Sequence, residues 1–103
     1  MKSFGEIIRE EREKRNLILR HVSANLDIDQ AIISKFERGT RKPTKEQVIK
    51  FARFYHLDES KLIIAWLSDK VAYEIFREDD IEKVLQVAEE KINYLKSINH
   101  EKQ

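Results

Sequence analysis

The chain has 103 residues, enough for one domain with a modest core or for a small domain with an oligomerisation arm, and too few for two full-sized domains. Charged residues make up 38% and apolar ones 41%, yet the apolar residues recur at helical spacing, which argues for folding rather than disorder. The absence of cysteine excludes disulfides, thiolate nucleophiles and cysteine zinc sites, and the net charge of +1 conceals an asymmetry: residues 1–57 hold 13 Lys and Arg against 8 Asp and Glu, and residues 58–103 hold 7 against 11.

The most basic stretch is 30–53, with 7 basic residues against 2 acidic, as expected of a part that meets a polyanion. Residues 1–6 carry no apolar run of the signal-peptide kind, and no stretch approaches the roughly 20 apolar residues of a membrane span. A cytoplasmic protein with no membrane contact is the expectation.

Two glycines, one proline and little two-residue alternation leave few helix stops and little material for a sheet, so the predicted fold class is all-α. The first helix is predicted from Ser3 to Lys14, with Ser3 as N-cap, Glu6 completing a capping box, and Phe4, Ile7, Ile8 and Glu11 turned inward. Leu17 closes the turn after it. A second helix covers Leu19 to Leu26 with Val22 and Leu26 inward, and Asp27-Ile28-Asp29 interrupts it. Asp29 caps a third helix, Gln30 to Arg38, which buries Ile33 and Phe36 and ends at Gly39, a residue that tolerates positive φ.

Thr44 and Gln47 form a capping box for a fourth helix whose inner stripe is Val48, Phe51, Ala52 and Tyr55. After the break at His56-Leu57, Asp58 caps a fifth helix carrying Leu62, Ile63, Trp66, Leu67, Val71, Ile75 and Phe76. It is apolar around much of its girth, so covering on more than one side is expected. Asp79 is the predicted cap of a last helix, from Asp80 to about Ile98. There Ile81, Leu85, Ala88, Ile92 and Leu95 repeat at spacings of 4, 3, 4 and 3, the pattern of a short coiled-coil seam and a candidate dimerisation surface.

The third helix suits the major groove of double-stranded DNA: an apolar back and short polar groups on its first turn, with phosphate-reaching groups alongside. Gln30 is an amide of the type that pairs bidentately with adenine, Lys35 can reach guanine O6 or N7, and Ala31 and Ile32 suit a thymine methyl. Ser34, Arg38, Thr40, Arg41 and Lys42 lie beside them as candidates for the backbone, which predicts salt-sensitive binding.

Leu17, Val22, Leu26, Ile28, Ile33, Ser34, Phe36, Glu37, Arg38, Gly39 and Pro43 stand in an order and spacing that resembles the Xre family of bacterial and phage repressors, to which the lambda-type repressor and Cro domains belong. The resemblance covers about Phe4 to Leu67. It implies a five-helix lambda-repressor-like DNA-binding domain over residues 1–67, which leaves residues 68–103 as a C-terminal helical extension and dimerisation arm.

By the same resemblance Gln30, Ala31 and Lys35 read bases, while Arg38, Thr40 and Arg41 touch the backbone. Glu37 is the family's internal acid, paired here with Arg12. Three positions depart from the pattern: the cap of the second helix is Ile18 rather than Ser, Thr or Asn, the next residue is Leu19 rather than a phosphate-contacting Gln, and the turn carries Asp27 where Gly is common. Arg20 or Asn16 is then expected to supply the backbone contact.

The expected function is a homodimeric transcriptional regulator, a repressor or a restriction-modification controller, reading a palindromic operator. A second reading is a protein-interaction module or antitoxin that works through its acidic C-terminal helices. No Ser/His/Asp set, glycine-rich phosphate loop or HExxH occurs, so no enzymatic activity and no cofactor are expected. His21, His56 and His100 are too scattered for a metal site. Trp66, Phe51, Phe54, Tyr55 and Phe76 are expected in the core rather than around a ligand.

Overall fold

The computed structural model describes residues 1–102, with side chains through Asn99. It contains six helices and, among the described residues, no strand: α1 (Phe4–Lys14), α2 (Leu19–Leu26), α3 (Gln30–Arg38), α4 (Lys45–Phe54), α5 (Glu59–Ile75) and α6 (Ile81–Lys102). Contacts divide the chain into two units, Met1–Val71 and the residues from Ala72 on. Among the described residues, no helix is long and apolar enough to cross a membrane.

A chain with two glycines must end its helices by other means. Gly39 ends α3 at φ +76, and four non-glycine residues at the other breaks take the same left-handed region: Asn16, Asp27, His56 and Asp80. Asn, Asp and His are the side chains that tolerate this conformation most readily. At the N-termini, Asp29 accepts from Ala31 N–H at 2.8 Å and Asp58 from Lys61 N–H at 3.0 Å. Thr44 and Gln47 make both halves of their capping box.

Two local expectations are corrected. Ser3 accepts from Glu6 N–H at 3.1 Å, but Glu6 receives the Ser3 hydroxyl instead of returning to the Ser3 N–H, so the box is half-made. The second bond to the start of α1 comes from Asp69, whose carboxylate accepts from Phe4 N–H at 2.8 Å. The last helix starts at Ile81, after the left-handed Asp80, rather than as a helix from Asp80 capped by Asp79.

In Met1–Val71 the core is built around Phe51, whose ring meets those of Phe4, Phe36 and Tyr55 at centroid distances of 5.8, 6.2 and 6.3 Å. Ile8 from α1, Val22 and Leu26 from α2, Ile33 from α3 and Val48 from α4 close around this stack. Helix α5 contributes Leu62 and Trp66 as its buried residues. The wider covering expected for α5 is not found: Ile64, Leu67 and Val71 are exposed, because only the stripe that faces the body meets other helices. Phe76, expected in the core, is also exposed and makes an edge contact with Tyr73.

Candidate nucleic-acid interface

Helix α3 is held from behind. Ile33 and Phe36 are buried and Ile32 is half-buried, which fixes the rotation of the helix about its axis. At 100° per residue, positions 30, 31, 34, 35 and 38 then share the opposite face. Gln30, Ala31, Lys35 and Arg38 are exposed there and Ser34 is half-exposed. Among the described residues, neither Gln30 nor Lys35 engages its side chain in an ion pair; the ion pairs of this unit are made by other residues.

The end of α3 turns into a basic loop at Gly39. The Thr40 hydroxyl bonds the Lys35 carbonyl at 3.4 Å and Arg38 Nε bonds the Ser34 carbonyl at 3.3 Å, so two of the expected phosphate contacts also close the last turn of the helix. Arg41 and Lys42 are exposed, and Pro43 is buried. The Pro43 carbonyl accepts the indole N–H of Trp66 at 3.0 Å, in a buried bond from α5, and the Lys70 ammonium sits 3.8 Å from the centre of the Trp66 ring. A short basic segment is thus pinned at both ends, by a helix terminus and by an aromatic side chain, which limits how far its cations can wander.

In front of α3, helix α2 starts without a side-chain cap at Ile18, and Leu19 packs against the core. Leu19 is therefore a packing residue here, while Arg20 is exposed next to it. Asp27 takes the turn between the two helices at φ 56, ψ 46, the conformation that glycine would adopt without strain. The Lys50 ammonium reaches back to the Leu26 carbonyl at 3.2 Å, satisfying one acceptor left open at the end of α2.

The helix-turn-helix family model matches residues 8–62, more than half of the chain. The chain belongs to the helix-turn-helix family. The family carries DNA binding and transcriptional regulation as its general function. No curated protein matches the chain. In this helix-turn-helix protein the match takes in all of α2, α3 and α4 and ends at Leu62, so Trp66, Asp69 and the whole of α6 lie beyond it.

Two ion-pair clusters brace the helix-turn-helix. Arg12 forks onto Glu37 with bonds of 2.9 and 3.0 Å and gives a third to the Leu17 carbonyl at 3.0 Å. The hydrogen bonds that Arg12 donates to Glu37 raise the pKa of Arg12 above its ordinary value. With the Glu37 side chain 5% exposed, losing either partner strands a charge out of water, a cost of about 3–5 kcal/mol. The second cluster centres on Glu11, which takes bonds from Arg15 at 3.0 Å and Lys14 at 3.1 Å, so its carboxyl is held below the usual range, chiefly by Arg15. Arg15 also bonds the Tyr55 carbonyl at 2.7 Å, tying α1 to the end of α4.

Of the site residues predicted from sequence, the structure brings Gln30, Ala31, Ser34, Lys35 and Arg38 onto one face, continued by Thr40, Arg41 and Lys42 in the loop, and it joins Arg12 to Glu37. Ile81, Leu85, Ala88, Ile92 and Leu95 all lie on α6, in the second unit. His21 and His56 are exposed and stand on different elements, and the side chain of His100 lies outside the described residues. Sequence reading missed Arg15, Asp69, the Trp66 bond to Pro43, and Gly5. A signal existed for Gly5 alone, since a glycine in the first turn of a helical pattern invites a packing reason.

Proposed function

We propose that the protein is a homodimeric repressor of cytoplasmic location that reads a palindromic operator in double-stranded DNA, with α3 in the major groove. The observation that carries this reading is the exposed face of α3, where Gln30, Ala31 and Lys35 run directly into the pinned basic loop of Arg41 and Lys42. Gln30 and Lys35 supply an adenine-type and a guanine-type contact, and Ala31 faces a thymine methyl. Arg38, Arg41 and Lys42 neutralise phosphates and the Thr40 hydroxyl bonds one, with Arg20 reaching the backbone from α2. Two such units on a palindrome meet successive major-groove faces about 34 Å apart, and the seam of α6 joins them. The protein acts by occupancy, as a binding protein rather than an enzyme.

The test is selection on random duplex DNA followed by salt titration of the recovered site. Gln30→Ala and Lys35→Ala each lose about 1–3 kcal/mol of discrimination at one base pair, whereas Arg41→Ala weakens all sequences alike and flattens the salt slope by about one. Failure to recover any palindrome would sink the reading, as would unchanged discrimination in both α3 variants.

A further inference from the structure

Part of the seam of α6 is exposed, while Ile81 and Ala88 are half-buried. Leu85, Ile92 and Leu95 are 46%, 51% and 60% exposed, and Val84, on the flank of the seam, is 40% exposed. In heptad terms Leu85, Ile92 and Asn99 occupy one core position, and Ile81, Ala88 and Leu95 the other. Glu82, Glu89 and Lys96 flank the seam on one side, and Val84, Lys91 and Ile98 on the other.

These flanks discriminate between the two ways of laying a second α6 on the first. In a parallel, in-register pair every core residue meets itself. Ala88 then faces Ala88, leaving a gap between the two chains, and Lys91 of each copy meets Lys96 of the other, twice by symmetry. What favours that arrangement is the Asn99 pair. In an antiparallel pair with Leu85 opposite Leu95, Ala88 meets Ile92 in both central layers, so a small side chain receives a large one. Glu82 of each copy then meets Lys96 of the other, and Val84 meets Ile98. The like charges in this arrangement are one Glu89 pair and one Lys91 pair near the two-fold axis. Each like-charge or opposite-charge contact is worth a similar small amount, and the outer layers set Ile81 against Asn99, so it is the two attractive pairs, the apolar flank and the filled central layers that favour the antiparallel register over the parallel one.

We propose that the seam of α6 pairs with a second copy of itself running antiparallel, with Leu85 opposite Leu95. The proposal rests on the homodimer reading above and adds an orientation and a register to it. It makes Glu82 and Lys96 the determinants of orientation, and Ala88 the small residue that admits Ile92 of the other copy.

The chain contains no cysteine, so introduced thiols report the pairing without interference. Full-length Leu85→Cys and Leu95→Cys chains are equilibrated in glutathione buffer, each alone and then mixed after subunit exchange. The antiparallel register gives a disulfide only in the mixture, between unlike chains. Two Leu85 positions, or two Leu95 positions, are then offset by ten residues, about 15 Å along the helix, beyond the roughly 7 Å that a disulfide tolerates between Cα atoms.

A Leu95→Cys chain that bridges to itself overturns the orientation and leaves the dimer standing. A dimer in sedimentation that yields no bridge in any of the three samples overturns α6 as the contact. A monomer at micromolar concentration overturns the pairing together with the homodimer reading.

The sign of a single charge reversal provides an independent check. Lys96→Glu weakens an antiparallel dimer by about threefold, because it meets Glu82, and tightens a parallel one by a similar factor, because it relieves Lys91. Tightening overturns the proposal.

Discussion

The residues up to Val71 and those from Ala72 on solve the problem of stability differently. The first unit buries a continuous core from Phe4 to Trp66, and every buried residue of the described chain falls between those two positions. The second unit buries none of its described side chains, although α6 is the longest helix of the chain and carries an apolar repeat. Helical stability in water comes mostly from packing an apolar face, and the proposed pairing of α6 is what gives this unit such a contact. In the first unit the sequence specifies a buried core, and in the second it leaves apolar side chains exposed along a helix.

Matched truncations are the most direct way to break this contrast. Phe51 is fully buried at the meeting point of three other rings, so Phe51→Ala is expected to cost about 3–5 kcal/mol in chemical denaturation. Leu85→Ala removes a similar apolar side chain from a half-exposed site. It is expected to change the stability of the dilute monomer by less than about 0.5 kcal/mol while raising the dissociation constant of the dimer in sedimentation. If both variants lose stability equally at concentrations where the chain is monomeric, α6 is part of the folded core and the contrast collapses.

Gly5 sharpens the picture on the side of the core. A methyl group there would come within 2.5 Å of the Phe36 carbonyl oxygen and 2.7 Å of that of Glu37, both backbone atoms at the end of α3. Neither atom can rotate aside, so Gly5→Ala must push α1 away from α3. The expected cost is about 1–3 kcal/mol, read as a lower thermal midpoint, with a shift of the whole α3 face that lowers DNA affinity for all sequences. Gly39→Ala differs in kind: its space is open and its penalty, about 1–2 kcal/mol, is that of a left-handed φ of +76. A Gly5→Ala protein as stable as the parent would mean that the helices are not in close contact.

What could be read from the sequence follows from this contrast. Helices α2, α3 and α4 were legible almost to the residue, because caps such as Asp29 and Thr44, the stop at Gly39 and the spacing of Ile33, Phe36, Val48 and Phe51 all agree on one answer. The exposed side of α3 followed from its buried side. Long-range polar contacts could not be seen: nothing local distinguishes Asp69, which caps a helix 65 residues away, or Arg15, which reaches the end of α4. The girth of α5 misled for a related reason, since periodicity shows which residues are apolar and not which of them find a neighbour. The legible part of the site was thus the part encoded in consecutive turns, and the illegible part was its bracing.

The smallest predicted effect concerns Tyr55, 1% exposed, whose ring packs edge-on against Phe54 at 4.9 Å and lies under Arg15. Its hydroxyl has no hydrogen-bond partner among the described residues, and burial raises its pKa to about 12. An unpaired buried hydroxyl is a cost that Phe does not carry, so Tyr55→Phe is expected to match the parent or gain up to about 1 kcal/mol at neutral pH. The pH dependence has a definite sign. Unfolded Tyr ionises near pH 10 and the folded phenol only near 12, so between these values the unfolded state releases a proton that the folded state keeps, and stability falls as pH rises. Denaturation at pH 7, 9 and 11 should therefore show the advantage of Tyr55→Phe widening above pH 10. A variant that loses more than about 1 kcal/mol at pH 7, or a gap that does not change with pH, would mean that the hydroxyl is bonded or reaches water.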